Sequence, residues 1–139
     1  LGTVQGISVF DDSKATNYDA AAVGLKSVPN PVVLLAGGQT KQGDAQSWLQ
    51  LLKERSSSVV LFGAGADELR GLIEASSYPG AVISHRSLNE AVPNALELAR
   101  QQRAASLLLS PACASFDQYS DFEARGDHFR ELIAANQST

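Results

Sequence analysis

The chain has 139 residues and a mass of 14.7 kDa, the size of one domain, and a chain this long hides roughly 70% of its unfolded surface on folding. The 11 basic and 15 acidic residues leave a net charge of −4, with no basic stripe and little aromatic interleaving, which excludes nucleic acid as an expected partner. The longest apolar run, 32–36, falls far short of the roughly 18 residues that cross a bilayer, and the amino end lacks a basic-then-apolar secretion signal.

A cytoplasmic protein without a membrane partner is therefore expected. The single cysteine, Cys113, forms no internal disulfide and supplies no zinc-binding pair, so any metal would be held by oxygens. Methionine is absent even at position 1, and the chain is expected to be a piece of a longer protein, with 1–139 forming one domain.

In chain order, Thr3 and Val4 ahead of Gln5-Gly6 look like the outer strand of a truncated antiparallel hairpin. Short apolar runs follow at 7–10, 32–36, 58–62, 81–83 and 106–109, and amphipathic stretches at 18–27, 45–54, 67–75, 88–103 and 120–135 alternate with them. Alternation of this kind predicts stacked strand–helix–strand units on a parallel sheet. The helix over 88–103 is the clearest, because Leu88, Ala91, Val92, Ala95, Leu96 and Ala99 recur on one face. In the last helix Phe122, Phe129, Leu132 and Ile133 form the apolar stripe. Asp44 and Ser87 are candidate N-caps, and Pro29, Pro31, Pro79 and Gly80 punctuate the boundaries. Near-continuous apolar strands imply burial on both faces, so the fold class is α/β with helices on both sides of a mostly parallel sheet.

Ligands bind such sheets beyond the carboxyl ends of the strands, where loops and helix N-termini converge. The polar segments fall there: Asp11 to Asn17 after the first parallel strand, Gly37 to Gly43 after the second, Gly63 to Gly65 after the third and Ser110 to Asp117 after the fifth. Lys14 and Lys41 suit a carboxylate or phosphate, and the acidic groups suit sugar hydroxyls or an oxygen-ligated Mg²⁺. Taken singly, each has an ordinary structural role: Asp12 and Ser13 as a turn, the lysines as solvated charges, Ser115 as a turn cap, Phe122 as packing. Their meeting on one rim is what points to a ligand carrying anionic groups and hydroxyls.

Two phosphate motifs fail. Gly38 and Gly43 have the spacing of a P-loop, but Asp44 and Ala45 stand where Lys and Ser or Thr are required. Gly63-Ala64-Gly65 opens a dinucleotide fingerprint, yet Glu68 occupies its third glycine position. His85 and His128 lack metal spacing, and Cys113 reads as a buried spacer.

The strings Asp12-Ser13-Lys14-Ala15-Thr16-Asn17 and Ser110-Pro111-Ala112-Cys113-Ala114-Ser115-Phe116-Asp117-Gln118, followed by Phe122-Glu123 and Arg125-Gly126, resemble the carboxy-terminal domain of the D-glutamate-adding Mur ligases of peptidoglycan synthesis. The resemblance runs from about Ile7 to the last helix. It implies a Rossmann-like three-layer domain of a three-domain, ATP-dependent, amide-forming ligase. The other domains would bind UDP-N-acetylmuramoyl-L-alanine, ATP and Mg²⁺, and this one would bring in D-glutamate and close the site. By that resemblance Lys14 is catalytic and near the transferring phosphoryl group, with Asp12 at the ribose of the nucleotide. Thr16 and Lys41 hold one carboxylate of D-glutamate, and Ser115 and the Phe122 region hold the other. It names no metal ligand on this chain, and a monomer is expected. In this chain Gln39 and Thr40 separate the glycine pair from Lys41, where the family loop commonly reads Gly-Gly-Asp.

Two other readings compete. The length, the alternation and Asp11-Asp12 suit a receiver-like signalling module, but Gly63-Ala64-Gly65 and Ser110-Pro111 stand where its acceptor aspartate and its lysine belong. A related terminal domain with another amino-acid substrate, such as that of a folate ligase, is opposed by the 110–115 string.

Overall fold

Positive φ at both Gln5 (52°) and Gly6 (85°) gives a two-residue turn whose twist suits a hairpin. The turn joins β1 (Gly2–Val4) antiparallel to β2 (Ile7–Asp11). The computed structural model describes residues 2–40 and 43–136. Beyond the hairpin, α1 (Tyr18–Lys26), β3 (Val32–Gly37), α2 (Gln46–Arg55) and β4 (Ser56–Phe62) lead to α3 (Ala66–Ala75) and β5 (Ala81–His85). The chain then runs through α4 (Leu88–Gln102) and β6 (Ser106–Leu109) to α5 (Phe122–Ala135).

The sheet has six strands in the order β1-β2-β6-β3-β4-β5, and every pairing except β1 with β2 is parallel. Crossovers between parallel strands are right-handed. The steps from β2 to β3, β4 and β5 all move one way across the sheet, so α1, α2 and α3 fall on one face. The step from β5 to β6 runs back, which places α4, followed by α5, on the other.

Strand alternation follows the same division. Val32, Leu34, Val59, Leu61 and Leu108 pack with Leu25, Trp48, Leu52, Leu69 and Ile73. Val33, Leu35, Val60, Phe62, Leu107 and Leu109 pack with Leu88, Val92, Leu96 and Phe129. The α/β three-layer arrangement expected from the apolar runs is thus the observed one. Counting only the parallel strands, the order is 1-5-2-3-4, which differs from the 2-1-3-4-5 order of receiver-like folds.

Local chemistry adjusts the expected boundaries. Strand β4 begins at Ser56, directly after α2, because Ser56 already pairs with Val32. The helix over 120–135 starts at Phe122, since Asp121 is its N-cap and accepts from the Ala124 amide at 2.7 Å. Ser87 caps α4 by position without a side-chain bond; instead Glu90 accepts from the Arg86 amide at 3.1 Å. Asp44 lies one residue before the cap of α2 but accepts from the Gln46 amide at 2.9 Å. Phe122 does not join the apolar stripe: it is 41% exposed, while Phe129 and Ile133 are buried.

Candidate functional site

Helices that leave neighbouring strands toward opposite faces open a crevice between them. Here α1 follows β2 on one face and α5 follows β6 on the other, while α2 follows β3 on the first. The crevice therefore lies over the carboxyl ends of β2, β6 and β3.

The strap after β2 is tied down at several residues. The Ser13 amide donates to Asp11 Oδ1 at 3.0 Å, and the Ser13 hydroxyl donates to the Phe122 carbonyl at 2.7 Å. Asp11 Oδ2 accepts from Arg130 at 2.6 Å, and Arg130 also pairs with Asp127. The Ala112 amide donates to the Ala15 carbonyl at 2.9 Å, joining this strap to the loop after β6. That loop joins the next one, because Gln39 and Ala114 exchange backbone hydrogen bonds of 2.8 and 2.9 Å. On its far side the Asp117 carboxylate accepts from the Ala64 amide at 2.9 Å. Four loops, distant in sequence, thus form one connected rim.

Lys14 is exposed and lies at a lip shared by two clefts. One, of about 310 Å³, is lined by Ser13, Lys14, Phe122, Gly126 and Arg130. The other, of about 550 Å³, places Asp12 and Lys14 against an apolar wall that includes Phe10, Val23, Val28 and Leu108. Lys14 thus shares a cleft with Phe122 and another with Asp12. Thr16 stands just before Asn17, whose side chain caps α1 by accepting from the Ala20 amide at 2.8 Å. Ser115 is 2% exposed, and its carbonyl accepts from the amides of Gln118 and Tyr119. Lys41 lies outside the described residues.

Burial raises the Asp12 carboxyl above its ordinary value, opposed by the hydrogen bond from Ser110 and by the field of Lys14. The Ser110 hydroxyl donates to Asp12 Oδ2 at 2.9 Å. Gly24 makes room for this pair, since a Cβ there would fall 2.2 Å from Asp12 Oδ2. A carboxyl whose folded value is raised favours folding when protonated and opposes it once ionised. Asp12→Asn is accordingly expected to raise the thermal midpoint at pH 7 by on the order of 2 °C. The gain vanishes near pH 3, where the wild-type carboxyl is protonated in both states. A lower midpoint at pH 7 would mean that the bond to Ser110 outweighs burial.

Arg125 belongs to the residues that carry the resemblance but receives no role from it. It is fully buried, and its Nε and Nη2 donate to the hydroxyl and carbonyl of Ser13 at 2.9 and 2.8 Å. Burial pulls it down to about 10, and the nearby Cys113, Asp117, Tyr119 and Asp11 oppose that shift, so it is charged at neutral pH. A signal was present: Arg125 stands three residues after Phe122 and four before Phe129, on the apolar stripe of its own helix. Cys113 is buried, as its small neighbours suggested. His85 bonds Asn94 at 2.9 Å, and His128 bonds the Tyr119 hydroxyl at 2.6 Å. Among the described residues no helix is long and apolar enough to cross a membrane.

Crevice, topology and rim together define a doubly wound α/β fold with a candidate ligand site at its topological switch point. The chain is 62% identical over 133 residues to UDP-N-acetylmuramoylalanine–D-glutamate ligase of Synechococcus sp. (strain CC9605), covering 96% of this chain and 29% of that protein. It is 60% identical over 136 residues to the ligase of that name from Prochlorococcus marinus (strain MIT 9313), covering 98% of this chain and 30% of that protein. For the one from Gloeobacter violaceus the identity is 52% over 135 residues, with 97% and 30% covered. No protein-family model matches. The chain belongs to this ligase family, and it spans about 30% of the length of the relatives it matches.

Proposed function

We propose that this chain is the carboxy-terminal, D-glutamate-binding domain of a cytoplasmic, monomeric, ATP-dependent ligase that adds D-glutamate to UDP-N-acetylmuramoyl-L-alanine in peptidoglycan synthesis. The observation that carries the proposal is the position of Lys14 at the lip between two clefts, one reaching Asp12 and the other Phe122. In the reaction a carboxylate oxygen of the nucleotide sugar takes the terminal phosphoryl group of ATP and releases ADP. The D-glutamate amine then attacks the acyl carbon, and inorganic phosphate leaves from the tetrahedral intermediate.

The roles are those that the family resemblance implies for these positions. Lys14 offers an ammonium to the transferring phosphoryl group. Asp12, with Oδ2 bound by Ser110, offers its other oxygen to the ribose hydroxyls of ATP. Thr16 and Lys41 hold one carboxylate of D-glutamate. Ser115 and the Phe122 region receive the other. Asp11 is engaged by Arg130 and the Ser13 amide, and among the described residues no group of three or more His, Cys, Asp and Glu could hold a metal ion. By the resemblance, Mg²⁺ is held mainly by the rest of the longer protein.

In the full-length protein, ADP is expected to form only when both UDP-N-acetylmuramoyl-L-alanine and D-glutamate are present. Equal ADP release without D-glutamate would refute the reading. The chain alone is expected to be inactive and to bind D-glutamate weakly, because closure against the other domains is what desolvates the site. Calorimetry giving a dissociation constant of about 1 μM would show that closure is unnecessary.

A further inference from the structure

The loops after β2 and β3 carry Lys14 and Lys41, which the reading above places at phosphate and amino acid. No ladder joins their strands, because β6 lies between them, and two strand spacings amount to about 9.6 Å. Each loop is tied to the one after β6 by backbone hydrogen bonds.

We propose that Arg125 is a positioning residue of the ligase, a buried fork that spans this gap and sets the Lys14 strap against the Gly37-Gly38 loop. The proposal rests on the function assigned above. Its geometric basis is independent of that assignment. Nε and Nη2 hold the hydroxyl and carbonyl of Ser13, while Nη1 reaches the Gly37 carbonyl at 3.5 Å, the longest of the three bonds. The Ser13 hydroxyl passes the connection on to the Phe122 carbonyl, so the first turn of α5 is fixed by the same group. Two glycines permit the approach. A Cβ at Gly38 would lie 3.0 Å from Arg125 Nη1, and one at Gly126 would lie 2.9 Å from Asp11 Oδ2.

The chemistry of the group matters as much as its place. A guanidinium presents several donors in a rigid plane and can hold acceptors on two segments at once, whereas an ammonium is a single point. Among the described residues Arg125 makes no ion pair; every acceptor it binds is a neutral oxygen of the rim. An apolar residue in this position would fill the space without linking the loops, so geometry at the rim, more than fold stability, is what the arginine supplies.

The test uses the full-length ligase with Arg125→Met, Arg125→Lys and Ser13→Ala, assayed well below their unfolding temperatures. Arg125→Met is expected to raise KM for D-glutamate and for ATP together by roughly tenfold to a hundredfold, as misplacement of substrate-holding loops does. Arg125→Lys fails to restore either constant, and Ser13→Ala shows a smaller rise in both. Hydrogen exchange should quicken over 11–17 and 36–40 and stay unchanged over 88–102.

Folded variants with wild-type KM values would overturn the proposal, even with a lowered melting temperature. So would unaltered exchange in both loops. If Arg125→Met does not fold, Arg125→Lys and Ser13→Ala decide on the same two readouts. If the wild-type protein forms no ADP with D-glutamate, the functional reading fails, and the exchange measurement alone still decides whether Arg125 positions the rim.

Discussion

Replacing Lys14 by alanine in the full-length ligase is expected to slow ADP formation about a hundredfold, the effect of losing a charged contact worth about 3 kcal/mol in the transition state. Lys14 is exposed, lines both clefts and makes no ion pair among the described residues. Its removal therefore leaves no buried group unsatisfied, and the fold should tolerate it. The loss belongs mainly to kcat, because charge on the transferring group and leaving oxygen builds up during the step itself. Lys14→Arg should recover part of the rate by keeping the charge. Turnover at the wild-type level in Lys14→Ala would end the role assigned to this side chain, and a rise in KM alone would make it a binding group.

Gly37→Ala should damage the domain itself. Gly37 ends β3 with φ of +147°, and a Cβ there would lie 1.9 Å from the Phe62 carbonyl oxygen. Backbone strain and overpacking each contribute about 2 kcal/mol, so the substitution should remove about 4 kcal/mol of stability. Urea denaturation of the chain should show the midpoint falling by about 2 M, taking a slope of about 2 kcal/mol/M. A midpoint within about 0.5 M of the wild type would mean that the β3–β4 ladder yields at this point at little cost.

Much of the fold was legible because its signals are local. The Gln5-Gly6 pair announces the hairpin, and the repeat of Leu88, Val92, Leu96 and Ala99 announces α4. The order of strands was not legible. Nothing within 106–109 says that this run enters between β2 and β3, since that depends on pairings with segments about a hundred and about seventy residues earlier.

The rim was legible in outline, because polar segments follow the apolar runs. Its internal wiring was not. Ser13 reads as a turn residue, yet its hydroxyl connects Arg125 to the start of α5. Phe122 reads as core by periodicity, but it occupies the first turn of its helix, where the stripe has already left the sheet and faces the cleft. Arg125 could have been found as the charged exception on an apolar face. The Gln39–Ala114 bridge joins loops 75 positions apart and has no local trace at all.

The return of α4 to deliver β6 into the middle of the sheet also sets the order of assembly. A ribosome makes this chain from one end, and until residues 106–109 emerge, β2 and β3 have no partner between them. Until then each of these strands lacks the partner on its β6 side, although β1 and β4 can already pair with their other edges. The arginine that ties their loops is translated later still, on α5, so the rim is wired together only after β6 has been made.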